Sequence, residues 1–184
     1  MNFDTFFQNV LSDTDAKVME LLHENIRSQA FFGRLWPRAK NPAKSGKKLL
    51  YQSGDLQDGY MSRTEGMNIH ITNTVEYAGV HNEGAEIPVS VPMKKYFWAM
   101  YYKASSGMSR TKGGTVSNNA RNRSLNTEAQ YWKSLALMKV GGKITIPERR
   151  VMGESPVIDN AIERIVDRNI KETIDQMMNE NFKS

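Results

Sequence analysis

Met67-Asn68-Ile69-His70-Ile71-Thr72 alternates apolar and polar side chains, and its reading decides the fold class. A period of two sets Met67, Ile69 and Ile71 on one face of an extended chain, which predicts a half-buried strand. Asn73-Thr74 can turn the chain. Val75-Glu76-Tyr77-Ala78-Gly79-Val80-His81-Asn82-Glu83-Gly84 then leads into a second alternating run, Ile87-Pro88-Val89-Ser90-Val91. Pro88 and Pro92 have no N–H to give to a ladder, so this strand is expected at an edge, where it can pair with another subunit. Lys143-Ile144-Thr145-Ile146, closed by Pro147, reads as a further short strand.

Outward from the strands the period becomes helical. Val18, Leu21, Leu22, Ile26 and Ala30 form a stripe that predicts a first helix from about Asp13 to Ala30, capped by the Ser12-Asp13-Thr14-Asp15 cluster. Phe3, Phe6, Phe7, Val10 and Leu11 share that spacing and are expected either in a separate short helix or docked on a neighbouring subunit. Met93 to Ala104 predicts a helix with an aromatic face, and Thr127 to Val140 another, stopped by Gly141-Gly142. Ser155-Pro156 is a capping serine followed by proline at the first helical position. The stripe from Ile158 through Ile165 and Ile174 to Met178 then predicts a last helix about 40 Å long. Strands inside and helices at both ends predict an α+β fold. A small, mainly antiparallel sheet is packed by an N-terminal and a long C-terminal helix, in a single domain over residues 1–184.

Three stretches interrupt this pattern. Gly33, Pro37, Pro42 and Gly46 break a basic segment that Phe31, Phe32, Leu35 and Trp36 are expected to anchor. Leu49 to Leu56 reads as an anchored turn through Tyr51 and Gln52, leading to a short helix that ends near Met61. Ser105 to Asn126 is rich in Ser, Gly, Asn and Arg and nearly free of apolar residues, so it is expected to be a long flexible loop, an insertion of the functional or disordered kind.

Composition excludes several functions. Without cysteine there is no disulfide, no thiolate nucleophile and no cysteine-ligated metal. The first residues lack the basic start and apolar run of a signal peptide, and no stretch approaches the roughly 20 apolar residues that span a bilayer, so no membrane partner is expected. The net charge of +5 is unevenly spread. Arg34 to Lys48 holds six basic residues and no acid, and Lys103 to Arg150 holds ten against Glu128 and Glu148. Such clusters attract polyanions or an acidic protein face, or simply solvate loops.

Catalytic chemistry finds no foothold. His23 and His70 have no partner at metal-ligand spacing. His81-Asn82-Glu83-Gly84 offers a histidine two residues from a glutamate, but it lacks a third ligand and a nucleophile; the alternative is a turn fixed by side-chain hydrogen bonds, with Gly84 at an unusual backbone angle. Gly113-Gly114-Thr115 lacks the spacing of a phosphate loop. Trp98, Tyr101 and Tyr102 beside Lys94, Lys95 and Lys103 would suit either base stacking or a core face with lysines outside it. The expectation is a protein that is not an enzyme, with no catalytic residue, cofactor or metal.

What remains is a series of phrases. Arg34-Leu35-Trp36-Pro37-Arg38 precedes Lys48-Leu49-Leu50 and Ser53-Gly54-Asp55-Leu56; Ile69 to Asn73 and Val75 to Gly84 follow; Ile146-Pro147-Glu148-Arg149-Arg150 and Gly153-Glu154-Ser155-Pro156 lead to the last helix. Over about residues 30 to 175 this order resembles the Mu-type phage virion morphogenesis proteins, which are related to tail completion proteins. In them a tryptophan-containing segment leads to a Ser/Thr-Gly-x-Leu turn. A strand leads to Tyr-Ala-x-x-His-x-x-Gly, and Ile-Pro-x-Arg with a nearby glycine precedes a C-terminal helix. Met93 to Met138 departs from that pattern and looks like an insertion. The resemblance implies a structural role in tail completion or at the head–tail junction, as a ring of identical copies that contacts other tail or connector proteins. The localisation it implies is the virion, assembled in the host cytoplasm. It gives Trp36, Pro37, Gly54 and Leu56 a place in the framework. It has Tyr77, Ala78, His81 and Gly84 fix a compact turn between strands, and Pro147, Arg149, Arg150 and Gly153 brace the approach to the last helix. DNA passing through such a ring would run near Arg110, Lys112, Arg121 and Arg123. The competing reading is a basic nucleic-acid-binding protein, whose affinity falls steeply with salt.

Overall fold

Phe3–Ser28 is one continuous helix, α1, in the computed structural model, which describes residues 3–44, 46–50 and 53–181. The expected break at Ser12 to Asp15 is absent, and distant groups take up its two carboxylates. Asp13 Oδ2 accepts hydrogen bonds from Arg168 Nη2 at 2.7 Å and Asn169 Nδ2 at 3.0 Å, and Asp15 Oδ2 accepts from Ser62 Oγ at 2.8 Å. These polar groups therefore brace the middle of a helix rather than cap its start. The hydrogen bonds from Asn169 and Arg168 hold the Asp13 carboxyl below its usual pKa.

The fold is α+β, and contacts group the chain into two compact units. The first comprises residues 1–36, 50–82 and 149–184. Besides α1 it contains β1 (Ala30–Phe31), β2 (Arg34–Leu35), α2 (Asp55–Asp58), β3 (Tyr60–Glu65), β4 (Asn68–Asn73), nearly all of α3 (Ala78–Glu83), and α6 (Pro156–Asn181). The second comprises residues 37–49 and 83–148 and contains β5 (Ala85–Pro88), α4 (Val91–Ser106), α5 (Ala120–Ala136) and β6 (Lys143–Ile146). The Met93 to Met138 stretch lies wholly inside it.

Three separate two-stranded antiparallel ladders, β1–β2, β3–β4 and β5–β6, replace the single small sheet that was expected. β3 pairs with β4 in the register Tyr60↔Asn73 to Glu65↔Asn68, around a two-residue turn with Gly66 at φ +59. Glycine at the first turn position matches the right-handed twist of a tight hairpin. The predicted short helix therefore ends at Asp58, and the chain is already extended at Met61. Tyr51 and Gln52 of the expected turn lie outside the described residues.

In the first unit, Leu22, Ile26, Trp36, Leu56, Tyr60, Ala78 and Val151 form the core. Fully burying one aliphatic side chain of this size is worth about 1.5–3 kcal/mol. α1 packs on α6, which starts as expected, with Ser155 Oγ accepting from the N–H of Val157 at 3.2 Å. Of the four apolar anchors expected after α1, Trp36 is buried and Leu35 is not: Leu35 is 77% exposed. Both residues of β2 are exposed, and Trp36, just beyond it, turns into the core.

In the second unit α4 lies against α5. Phe97 stacks on Trp132 at 6.1 Å between ring centroids, and Ala136 completes the core. Trp98 and Tyr101 pack partly against it, while Tyr96 and Tyr102 stay exposed. β5 pairs with β6 from Ala85↔Ile146 to Pro88↔Lys143. Val91 belongs to α4 rather than to the strand, because Ser90 caps that helix by accepting from the N–H of Met93 at 3.3 Å.

Candidate functional site

Residues 149–152 are irregular backbone, yet Arg149 and Val151 are buried, so their amides and carbonyls need partners. Three elements of the first unit supply them. From α3, the carbonyl of His81 accepts from the N–H of Arg149 at 2.7 Å, and Asn82 Oδ1 accepts from the N–H groups of Val151 at 2.8 Å and Met152 at 3.0 Å. From β2's end, Trp36 Nε1 donates to the carbonyl of Arg150 at 2.8 Å. From α1, Asn25 Nδ2 donates to the carbonyl of Val151 at 3.0 Å. The other end of the same amide, Asn25 Oδ1, accepts from the N–H of Phe32 at 2.9 Å.

That second bond has its own cause. Phe32 and Gly33 both take positive φ, +46 and +89, at the turn between β1 and β2. Positive φ at both central positions is the tight hairpin geometry, which glycine adopts freely and phenylalanine does not. Asn25 therefore holds a strained turn with one atom and the 149–152 segment with another. Arg150 lies over this turn, its guanidinium carbon 5.6 Å from the Phe31 ring centroid, a cation–π contact.

The expected motif residues fall into two groups. Trp36, Ala78, His81, Arg149 and Gly153 are in or beside the clasp; Trp36, Ala78 and Arg149 are buried, and a Cβ on Gly153 would stand 3.2 Å from Arg150 Cδ. Burial pushes the Arg149 guanidinium pKa down, although arginine stays charged at any ordinary pH. Tyr77 is exposed and sets its ring edge-on to His81 at 5.7 Å. Leu56 is in the first core, and Gly54, at φ +87, precedes α2. Gly84, Pro37 and Pro147 belong to the second unit and are not part of the clasp. At Gly84, φ is +75 and a Cβ would meet the amide nitrogen of Glu148 at 2.9 Å, so the backbone there admits only glycine.

Two corrections concern the segments around these residues. The Tyr77 to Gly84 phrase is not a turn: Ala78–Glu83 is a short helix. On a helix, residues two apart do not face each other, so His81 and Glu83 do not converge. Asn82 is the more consequential residue of this phrase. The signal that could have marked Asn25 is its place in the apolar stripe of α1, between Leu22 and Ile26.

The second correction concerns Ser105 to Asn126, which is folded. α4 continues to Ser106, a hairpin with a bridge between Arg110 and Val116 follows, and α5 starts at Ala120. Thr111 N–H donates to the Thr115 carbonyl at 2.8 Å, around Gly114 at φ +82. Asn122, 3% exposed, pins the base of the hairpin. Its Nδ2 donates to the carbonyls of Ser109 at 2.9 Å and Ser117 at 2.6 Å, and its Oδ1 accepts from the Ser109 N–H at 3.0 Å. Arg110, Lys112, Arg121 and Arg123 are all exposed around this pin.

Among the described residues, no three His, Asp or Glu side chains gather as a metal site would require, and no helix is long and apolar enough to cross a membrane. An open groove of about 310 Å³ runs along α1 past Leu21, Glu24, Ser28 and Phe32. Compared with family models, curated proteins and solved structures, the chain matches none.

Proposed function

We propose that this chain is a non-catalytic structural protein of phage or prophage virion morphogenesis, acting in tail completion or at the head–tail junction as a ring of identical copies. The observation that carries this reading is the clasp. Trp36, Ala78, His81 and Arg149 belong to three of the phrases on which the resemblance rests, and they meet through backbone hydrogen bonds and burial. Groups used in that way serve a fold, and a fold can be shared where chemistry is absent.

A second feature supports self-assembly. Phe3 and Phe7 of α1, and Ile170, Ile174 and Met178 of α6, are exposed. Large apolar side chains on two packed helices suit a contact with a neighbouring copy, which would bury them. Light scattering at tens of micromolar, joined by electron microscopy, tests the reading. The expected outcome is a closed ring with a central hole, formed alone or with tail components, and a Phe3→Ser, Phe7→Ser, Met178→Ser variant that stays monomeric. A monomer under every one of these conditions would sink the ring.

A further inference from the structure

The second unit carries fifteen Lys and Arg residues against Glu83, Glu86, Glu128 and Glu148, a formal charge of +11. The first carries ten against sixteen acids, a charge of −6, and the two together give the chain's +5. The positive excess is purest from Lys103 to Thr127, where Lys103, Arg110, Lys112, Arg121 and Arg123 face no acid of their own segment.

Geometry concentrates it further. Arg110 follows Ser109, and Arg121 and Arg123 flank Asn122, so the Ser109–Asn122 bonds hold the hairpin's Arg110 beside the start of α5, from which Arg121 and Arg123 project on different sides. Arg110 Nη1 donates to the Gly114 carbonyl at 2.8 Å and Arg123 Nη1 to Asn118 Oδ1 at 2.9 Å, both neutral acceptors. Arg121 and Arg123 also lie in the first turn of α5, where the helix's own partial positive charge opposes cations. The unbalanced positive charge and the cations at the start of α5 both raise the free energy of the isolated protein, and a polyanion relieves both.

We propose that the pinned hairpin and the start of α5 bind the phosphate backbone of double-stranded DNA without reading its sequence. Guanidinium groups match phosphate in shape, and three of the four exposed cations are arginines. Residues 105–126 contain no Phe, Tyr or Trp, so bases have nothing there to stack on, as a single strand would need. Asn122, whose amide could have read base edges, is taken up by the pin. A duplex offers the denser line of charge, about one per 1.7 Å. None of this requires the ring, since the free chain presents the same face.

The test is binding of the full chain to a labelled mixed-sequence duplex of about 20 base pairs, titrated between about 50 and 200 mM salt. With about four phosphates contacted, affinity falls roughly 100-fold over that range. The variant Arg110→Gln, Lys112→Gln, Arg121→Gln, Arg123→Gln flattens the log–log salt slope by about 3 to 4. The charge-matched control Lys17→Gln, Arg63→Gln, Arg164→Gln, Lys171→Gln leaves it within about 1. If the first variant does not fold, Lys112→Gln and Arg121→Gln made singly each flatten the slope by about 1. A single strand of equal length binds more weakly. Absence of duplex binding at low salt, equal slopes for the two quadruple variants, or tighter single-strand binding each overturns the proposal. So does an oligomer that salt and the first variant dissolve while DNA is ignored, which gives this face to the acidic unit of a second copy. The ring fails separately, through monomeric scattering of a chain that still binds the duplex.

Discussion

Both units hold irregular backbone in place with buried or half-buried asparagines, but over different distances. In the first, Asn25 and Asn82 reach the 151–152 segment across 126 and 69 residues of chain, beside Trp36 and Val151. In the second, Asn122 reaches Ser109 across 13 residues, under an exposed basic hairpin. The first arrangement fixes how distant segments meet; the second fixes the shape of one surface loop. An amide is an expensive group to bury without partners. The same side chain therefore enforces a tertiary arrangement in one place and a local one in the other.

The contrast can be broken by substitution. Trp36→Ala removes both core volume and the donor to Arg150, and is expected to cost the first unit about 3–5 kcal/mol. Amide exchange in α1 should accelerate, measured by hydrogen exchange. Asn82→Ala strands the N–H groups of buried Val151 and half-buried Met152 and is expected to cost about 1–3 kcal/mol by chemical denaturation. Asn122→Ala should cost under about 1 kcal/mol, because water can reach much of the hairpin, while its amides exchange faster. A cost for Asn122→Ala as large as that for Asn82→Ala would erase the distinction.

The smallest effect at neutral pH belongs to Tyr60. Burial in the first core pushes its phenol up to about 12. A raised pKa means the neutral form is favoured by folding, so its contribution is complete below the unfolded value near 10 and is lost as pH rises toward 12. Tyr60→Phe should leave neutral stability nearly unchanged and flatten the decline above pH 10, measured by denaturation at successive pH values. Tyr131 of the second core is also raised by burial and stays in that variant, so it contributes to the decline that remains.

Long, periodic elements were legible in the sequence because their signal is local. α4, α6, β4 and β6 follow from apolar spacing and from caps such as Ser155. What escaped was fixed at a distance or by single side chains. Ser12 to Asp15 reads as a cap, yet Asp13 and Asp15 are drawn into mid-helix roles by Arg168, Asn169 and Ser62. β3 shows no alternation because most of its residues are exposed. The Ser105 to Asn126 segment has the composition of a flexible loop, and its order comes from helix ends, a short hairpin and the Asn122 pin, which composition cannot reveal. The clasp was half legible: its buried Trp36 and Arg149 stood out, while Asn25 and Asn82 looked like ordinary polar residues until their partners were in view.

The division of the first unit into three segments has a consequence for synthesis. α1 leaves the ribosome roughly 130 residues before α6 starts, an interval of about 7–26 s at ordinary elongation rates. During that time α1 has no α6 to pack on, and Leu22 and Ile26 lack Val151 of their core. The sequence of the second unit is complete at residue 148, before the clasp segment or α6 has been made. Maturation thus runs from the inside of the chain outward: the basic, aromatic unit can finish first, and the unit that contains the first helix finishes last. A nascent chain halted just after residue 148 would carry a complete second unit tethered to an unclosed first, with the apolar face of α1 open to a chaperone or to another nascent copy on the same message.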